Sequence, residues 1–227
     1  MEEIETILER LSRSAESPLP FRLNEAKPLL LDFSASNAMI RSMDGSQLAE
    51  FVAGLLSRAG SGLGIGAYGE DRVIYSRSPI FGSERSIHLG MDLIVTAGTP
   101  VFSPLRGVVH SFRDNRRQGD YGPTVIIEHN IHGRTFFTLF GHLSPESLLK
   151  EEGDAIDKGG VIGSVGIIEV NGGWFEHVHF QIITDMGGRK GDFPGVSSRG
   201  DWPKYRRLCP DPNVLLGVKA LNKGMKR

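Results

Sequence analysis

Apolar residues recur at helical spacing in two stretches of the first 60 positions. The first predicts an amphipathic helix within residues 1–13, whose apolar stripe is Ile4, Ile7, Leu8 and Leu11. The second predicts a helix that begins at Asp44 or Ser46, either of which can cap it, and ends at Gly60. Its apolar face comprises Leu48, Phe51, Val52, Leu55 and Leu56. A short apolar run at residues 29–33 is ambiguous, and the glycine-rich residues 60–69 are interpreted as a flexible connection leading into a strand.

From Asp71 onwards the pattern changes to short β-like runs separated by glycine and proline. Because no helical pattern lies between these runs, the sequence predicts a mainly β fold, an antiparallel sandwich or barrel-like sheet. We expect an N-terminal helical appendage over residues 1–70 and a β domain over 71–227. The tail is predicted as ordered loop with one short helical turn after Asp211. The predicted strands are Arg72–Tyr75, Met91–Val95, Gly107–Phe112, Thr124–His129, Thr135–Gly141 and His177–Ile183.

Composition excludes several classes of protein. The 227 residues carry 26 Lys and Arg against 27 Asp and Glu, a net charge of −1, which argues against nucleic acid as the main partner. No stretch has the roughly 20 apolar residues of a membrane span. The first fourteen residues are acidic and amphipathic rather than basic and then apolar, so a cytoplasmic location is expected. The single cysteine, Cys209, leaves histidine and carboxylate as the available metal ligands.

Two short histidine patterns indicate a metal site. His88 and Asp92 are four residues apart, and His177 and His179 are two apart. Even spacing in an extended chain tends to place side chains on one side. A catalytic zinc takes three protein ligands plus water, so His88, Asp92 and one histidine of the second pair satisfy that count. The other histidine of that pair and His142 are then free for proton transfer.

These motifs, in this order, resemble the lysostaphin/LytM-type zinc metallopeptidases, which cut peptide cross-bridges or stems of bacterial peptidoglycan. The motifs are His-x-x-x-Asp at 88–92, Gly-His-Leu-Ser at 141–144 and His-x-His-Phe at 177–180. The segments Ala-Gly-Thr-Pro-Val at 97–101 and Gly153 to Gly166 are similar to further family motifs, so the resemblance covers roughly residues 81–183. A narrower resemblance is to the metallopeptidase-like module found beside aminotransferase and phosphotransferase domains in large bacterial proteins.

The resemblance implies a β-rich core of the duplicated-hybrid, barrel-sandwich type and a Zn²⁺ cofactor. It implies that His88, Asp92 and His179 are the zinc ligands and that His142 and His177 are the catalytic pair. The implied activity is a zinc-dependent endopeptidase acting on peptidoglycan cross-links or stem peptides. Members of the family are usually exported, in contrast to the location that the sequence predicts.

Some residues depart from the family pattern and keep alternatives open. Asn171 to Glu176 replace the usual Ser/Thr-Gly-rich loop and proline before the His-x-His motif, and Glu176 is expected to raise the pKa of His177. One alternative is therefore a non-catalytic metal-holding scaffold that binds cell-wall fragments or a partner protein. A phosphocarrier with two active histidines is a third hypothesis, against which the His88–Asp92 pair argues.

The remaining candidate residues are assigned structural roles. His110, His129 and His132 are expected to be packed or surface histidines, Tyr121 a turn residue and Cys209 an inert thiol. Trp174 and Phe175 either line a groove or pack in the interior.

Overall fold

The fold is described from a computed structural model, which covers residues 3–78, 80–82, 84–131 and 133–222. His132, expected to have a structural role, lies outside these residues. The helices are α1 (Ile4–Leu11), α2 (Gly45–Ala59), α3 (Trp202–Leu208), α4 (Asn213–Leu216) and α5 (Lys219–Asn222), with 3₁₀ turns at Val73–Arg77 and Pro145–Leu148. Within the described residues, no helix has both the length and the apolar character that a membrane crossing requires.

Strands make up most of the regular structure. In chain order they are β1 (Leu29–Leu31), β2 (Gly64–Gly66), β3 (Arg85–His88), β4 (Met91–Ile94), β5 (Pro100–Phe102), β6 (Gly107–Asn115), β7 (Gly122–Ile131), β8 (Arg134–Gly141), β9 (Ala155–Ile156), β10 (Val161–Ser164), β11 (Val178–Ile183) and β12 (Val196–Ser198). Eight of them form one sheet in the order β1-β2-β4-β11-β8-β7-β6-β9, and β10-β5 and β12-β3 form two small sheets. All pairs are antiparallel except β1 with β2. The predicted mainly β, antiparallel fold is confirmed.

The central strands are apolar on both sides because both faces of the main sheet are covered. Val125 and Ile127 of β7 enter the largest apolar cluster, whereas Ile126 between them enters a second cluster on the other face. This alternation follows from the two-residue period of a strand. The first cluster also contains residues of α1 and α4, and α3 packs against the second. The core therefore holds the site-bearing strands β4, β8 and β11 firmly from two sides.

Helix α2 begins where its capping residue predicts. The Asp44 side chain accepts a hydrogen bond from the Gln47 N–H, and the Gln47 side chain accepts one from the Asp44 N–H, which forms a capping box. The helix ends at Gly60, whose φ of 59° is in the left-handed region that favours glycine. Its buried residues Leu48 and Val52 pack in a third apolar cluster.

Some predicted elements differ from the structure. The predicted strand Arg72–Tyr75 is wrong: Arg72 makes a single bridge to Ser34, and the chain then enters the 3₁₀ turn. Tertiary contacts of the buried Arg72 side chain override the local β propensity here. The glycine-rich connection itself contains β2, and the tail contains α3 as well as the expected turn at α4. Strands β1 and β2, from residues 1–70, pair in the main sheet, and the domain boundary near residue 70 stays a prediction.

Candidate metal centre

Strand pairing brings distant parts of the chain to one point. In the register between β4 and β11, His179 lies directly opposite Asp92, and Gly141 of β8 is the neighbour of His179 on its other side. His142 follows Gly141 at the end of β8. His88 ends β3 and precedes the bend that leads into β4. The five side chains predicted from the sequence are therefore gathered at one end of three adjacent strands.

Three electron-donating atoms face one another in this cluster. His88 Nε2 lies 2.9 Å from His179 Nδ1, and each of these nitrogens lies 3.2 Å from Asp92 Oδ1. All three side chains are buried, with at most 3% of each residue exposed. Within the described residues, this is the one group of histidine, cysteine and acidic side chains whose geometry could hold a metal ion.

The donor set fits a divalent cation such as zinc. Ligand atoms about 2.1 Å from a tetrahedral ion lie roughly 3.4 Å from one another, close to the separations found here. Lone pairs as close as these repel unless a cation or a proton lies between them. Two imidazole nitrogens and one carboxylate oxygen are also a combination that catalytic zinc sites use.

Hydrogen bonds on the far side of each ring direct these lone pairs inward. His88 Nδ1 donates to the Ala67 carbonyl at 3.0 Å, which leaves Nε2 as the electron-pair donor. His179 Nε2 donates to Gln181 Oε1 at 2.9 Å, which leaves Nδ1. The orientation of the Gln181 amide is set because its Nε2 donates to the Pro194 carbonyl. Such outer contacts fix the tautomer and the orientation of a metal-binding histidine.

The two other histidines of the cluster have the same arrangement. His142 Nδ1 donates to the Asn171 carbonyl and His177 Nδ1 to the Phe175 carbonyl, each at 2.7 Å. Their rings lie with centroids 4.2 Å apart, and His177 Nε2 is 3.7 Å from Asp92 Oδ1. Both rings therefore have an unprotonated Nε2, the nitrogen that can accept a proton.

Burial keeps the imidazoles of His88, His142 and His177 neutral. Burial and the charge of Arg72 lower the pKa of His88 to about 3. Burial, reinforced by neighbouring histidines, lowers the pKa of His142 well below its usual value. Burial also lowers the pKa of His177. Burial alone would raise the pKa of Asp92, but His88 and Arg72 hold it well below its usual range. At neutral pH Asp92 is thus a carboxylate beside the neutral rings of His88, His142 and His177, the protonation state that metal binding needs.

The expected influence of Glu176 on His177 is wrong. The Glu176 carboxylate turns away from the site and accepts a hydrogen bond from the Ala97 N–H at 2.7 Å. The pKa of His177 is lowered rather than raised, because desolvation is its largest cause.

His142 has a backbone conformation that is rare for a residue other than glycine. Its φ is 63°, in the left-handed region. Its N–H donates to the Tyr121 carbonyl at 2.7 Å, and its carbonyl accepts from the Gly166 N–H at 2.9 Å. These bonds hold the strained residue where its ring meets His177. Such strain is common at functional sites.

A cavity of about 320 Å³ opens onto the cluster. Its wall includes His142, His177, Tyr121 and Trp174. The Tyr121 hydroxyl donates to Gln181 Oε1 at 3.3 Å, and the assignment of Tyr121 as a turn residue rather than a substrate contact stays a prediction. Trp174 and Phe175 both contribute to the cavity wall. Phe175 is also buried, and its ring stacks on the ring of Phe33 with centroids 5.2 Å apart.

Three residues near the cluster were not found from the sequence. Asn171 supplies the carbonyl that orients His142, and its side-chain oxygen accepts from the N–H groups of Gly173 and Trp174. Gln181 lies two residues beyond His179 on the same strand face, a spacing that could have pointed to it. Arg72 contacts Asp92, and nothing in the local sequence around Arg72 indicates this.

Histidines assigned to other roles lie elsewhere. His129 is buried and satisfied on both ring nitrogens, by the Arg106 carbonyl and by the Thr138 hydroxyl, each at 2.8 Å. His110 contacts the Ser111 hydroxyl. Cys209 is buried, and burial raises the pKa of its thiol to about 12, which agrees with an inert role.

Comparison with known proteins finds a family that the site-bearing part of the chain resembles. Residues 86–191 match Peptidase family M23. The chain is 32% identical over 117 residues to the peptidoglycan DD-endopeptidase ShyA of Vibrio cholerae, a match over 49% of this chain and 24% of ShyA. It is 35% identical over 106 residues to an uncharacterized metalloprotease of Haemophilus influenzae, over 47% of this chain and 21% of that protein. Residues 86–191 are thus similar to peptidase family M23, and the match spans less than a quarter of each curated relative.

Two solved structures of peptidases are also similar to this chain. A zinc-containing peptidase from Vibrio cholerae is 22% identical, with a TM-score of 0.41, over 66% of this chain and 35% of that one. The catalytic domain of lysostaphin from Staphylococcus simulans is 19% identical, with a TM-score of 0.41, over 68% of this chain and 97% of that one.

Proposed function

We propose that this protein is a zinc-dependent metalloendopeptidase that hydrolyses peptide bonds of peptidoglycan cross-links or stem peptides. In this proposal His88, Asp92 and His179 hold the ion, and His142 and His177 are the catalytic pair. The observation that carries it is the orientation of the four histidines: each directs one ring N–H to an oxygen outside the cluster, which leaves its other ring nitrogen as the electron-pair donor.

Two imidazoles and one carboxylate fill three positions of a tetrahedral ion and leave the fourth free. This is the arrangement of a catalytic rather than a structural zinc site. When bound there, zinc polarises the scissile carbonyl and increases the acidity of water. The ligand atoms supported by the geometry are His88 Nε2, Asp92 Oδ1 and His179 Nδ1. The cavity beside them gives a peptide access to this position.

His142 and His177 supply the proton transfers that amide hydrolysis requires. As the water oxygen bonds to the carbonyl carbon, one Nε2 accepts a proton from the water. The carbon–nitrogen bond then breaks, and the proton passes to the leaving amine. The second imidazole stabilises the charge on the carbonyl oxygen. The lowered pKa values of both rings favour the neutral form that a base needs at pH 7.

The relatives support the choice of substrate class. ShyA is named as a peptidoglycan DD-endopeptidase, and lysostaphin as an antimicrobial peptidase. A peptidoglycan-derived peptide containing glycine or D-alanine is therefore the first substrate to test.

The experiment is digestion of purified peptidoglycan and of synthetic glycyl and D-alanyl peptides, with products separated by liquid chromatography and mass spectrometry. The zinc-loaded protein is expected to release new amine ends, and a chelator is expected to abolish this until zinc is restored. His177→Asn is expected to lose hydrolysis while it retains zinc, whereas His179→Ala loses both. Stoichiometric zinc with no turnover of any of these substrates would favour the metal-holding scaffold instead.

A further inference from the structure

A buried arginine contacts the acidic side chain of the metal centre. Arg72 is 2% exposed, and its Nη1 donates to Asp92 Oδ2 at 2.5 Å. The other carboxylate oxygen, Oδ1, faces His88 and His179. The two oxygens of Asp92 therefore have different partners, one the guanidinium and the other the imidazole nitrogens.

The guanidinium is itself fixed on several sides. Its Nε donates to Glu70 Oε2 at 2.9 Å, and its Nη1 also donates to the Tyr75 hydroxyl at 2.9 Å. Its central carbon lies 5.2 Å from the centroid of the Phe33 ring. Because a guanidinium is planar and its donors are held in a rigid fork, these contacts determine where Nη1 points.

Strand β2 leaves space for this contact. A Cβ atom at Gly66 would lie 2.5 Å from Arg72 Nη2 and 3.1 Å from Asp92 Oδ2. Only a residue without a side chain fits there without displacing the pair. The glycine of β2 thus lets the backbone approach the arginine and the carboxylate together.

The same arginine connects the N-terminal segment to the site. Glu70, which holds Arg72, also accepts the Phe33 N–H through Oε1 at 2.9 Å. The Phe33 ring stacks on Phe175, whose carbonyl orients His177. Arg72 and Phe33 both precede residues 86–191, which match family M23. Arg72 contacts the proposed ligand Asp92, and Phe33 contacts Phe175, whose carbonyl orients His177.

From these contacts we propose that Arg72, held by Glu70, is a positioning residue of the metal centre. It occupies Oδ2 of Asp92, so that the carboxylate offers the ion Oδ1 alone and keeps a coordination position free for water. The inference rests on the proposed function, since it assumes that a metal binds at His88, Asp92 and His179.

A positioning role and a purely electrostatic one predict opposite effects on metal binding. A cation close to a divalent ion repels it, so removing an arginine that only balances charge would strengthen metal binding. Removing an arginine that orients Asp92 weakens binding, since loss of such outer contacts typically costs about 10- to 100-fold in metal affinity. It also lets the second oxygen of Asp92 join the coordination of the ion.

The test measures metal binding by the full chain, without reference to hydrolysis. Zinc affinity is determined by competition with a chromophoric chelator, and the visible spectrum of the Co²⁺-loaded protein reports the coordination number. Arg72→Met removes the contact, and Arg72→Lys retains the charge with a single ammonium donor. Arg199→Met is the matched control, because it breaks an exposed ion pair with Asp71. Circular dichroism of the metal-free proteins checks the fold.

We expect zinc affinity to fall about 10- to 100-fold in Arg72→Met. The fall should be smaller in Arg72→Lys, and Arg199→Met should behave as the wild type. The Co²⁺ absorption of Arg72→Met should weaken as coordination rises above four. If Arg72→Met does not fold, zinc affinity and the Co²⁺ spectrum of Arg72→Lys and Glu70→Gln test the proposal in its place. Equal or tighter zinc binding with an unchanged cobalt spectrum would overturn the proposal. Failure of the wild type to bind zinc would instead overturn the proposed function, and this inference with it.

Discussion

Substitution of Gly90 by alanine is a stringent test of how closely the metal centre is packed. Gly90 lies in the bend between β3 and β4, under the ring of His179. An added Cβ would meet His179 Cε1 and Nε2, each at 2.5 Å, and the Phe180 carbonyl oxygen at 2.8 Å. The φ of Gly90 is outside the left-handed region, so alanine meets a steric obstacle here and no conformational one.

The size of the effect follows from these contacts. Ordinary van der Waals contact of a Cβ begins at 3.4 Å, so the ring must recede from 2.5 Å by roughly 0.9 Å. Functional side chains must stay within about 0.5 Å of their productive geometry, so this displacement disrupts the centre. We expect a loss of about 1–3 kcal/mol in the unfolding free energy of the metal-free protein, typical of overpacking. We also expect zinc affinity to fall by at least about 10-fold, as for loss of an outer contact.

The assay combines denaturant unfolding of the metal-free protein with competitive zinc titration. Gly62→Ala is the matched control, because a Cβ at Gly62 has nothing within 4 Å and its φ needs no glycine. The control should change neither quantity. Wild-type zinc affinity in Gly90→Ala would refute the claim that the position of His179 determines metal binding.

Three other substitutions or conditions give further predictions. Glu176→Gln should leave the pH profile of hydrolysis unchanged, because the Glu176 carboxylate accepts from Ala97 and faces away from His177; a shifted profile would show that the two groups interact. Asn171→Ala should cost about 0.5–1.5 kcal/mol, because the half-buried Trp174 N–H loses its acceptor whereas the Gly173 N–H keeps the Ile168 carbonyl, and should lower hydrolysis with zinc retained; chemical denaturation and metal analysis check this. Burial lowers the pKa of His129 from 6.5 to about 4. As pH drops from about 6.5 towards 4, His129 is therefore protonated in the unfolded chain before it is protonated in the folded one, and the free energy of unfolding should fall. This loss, up to about 1.4 kcal/mol per pH unit, should be smaller in His129→Gln.

The candidate metal ligands could be predicted from the sequence because they lie in short motifs. The even spacing of His88 and Asp92, and of His177 and His179, already indicates a shared side of an extended chain. Strands β4 and β11, which carry Asp92 and His179, are predicted nearly to their ends, whereas β3, which ends at His88, was not predicted. That these strands are neighbours, with His179 opposite Asp92, depends on long-range pairing that no local pattern records.

The residues that support the cluster could not be predicted in the same way. Arg72 lies in a predicted strand, yet the fold buries it against Asp92, and the chain enters a 3₁₀ turn directly after it. The orientation of Glu176 towards Ala97 likewise depends on how the loop before His177 folds. The short strand β2 was missed because its glycines lack β propensity, although the close approach to Arg72 requires one of them.

A crystal structure of the zinc-loaded protein, with diffraction data collected on both sides of the zinc absorption edge, tests the central claim most directly. The account predicts one anomalous peak at the cluster, about 2.0–2.2 Å from His88 Nε2, Asp92 Oδ1 and His179 Nδ1, with its fourth neighbour a water molecule. A peak at other residues, or a fourth ligand supplied by the protein, would contradict it.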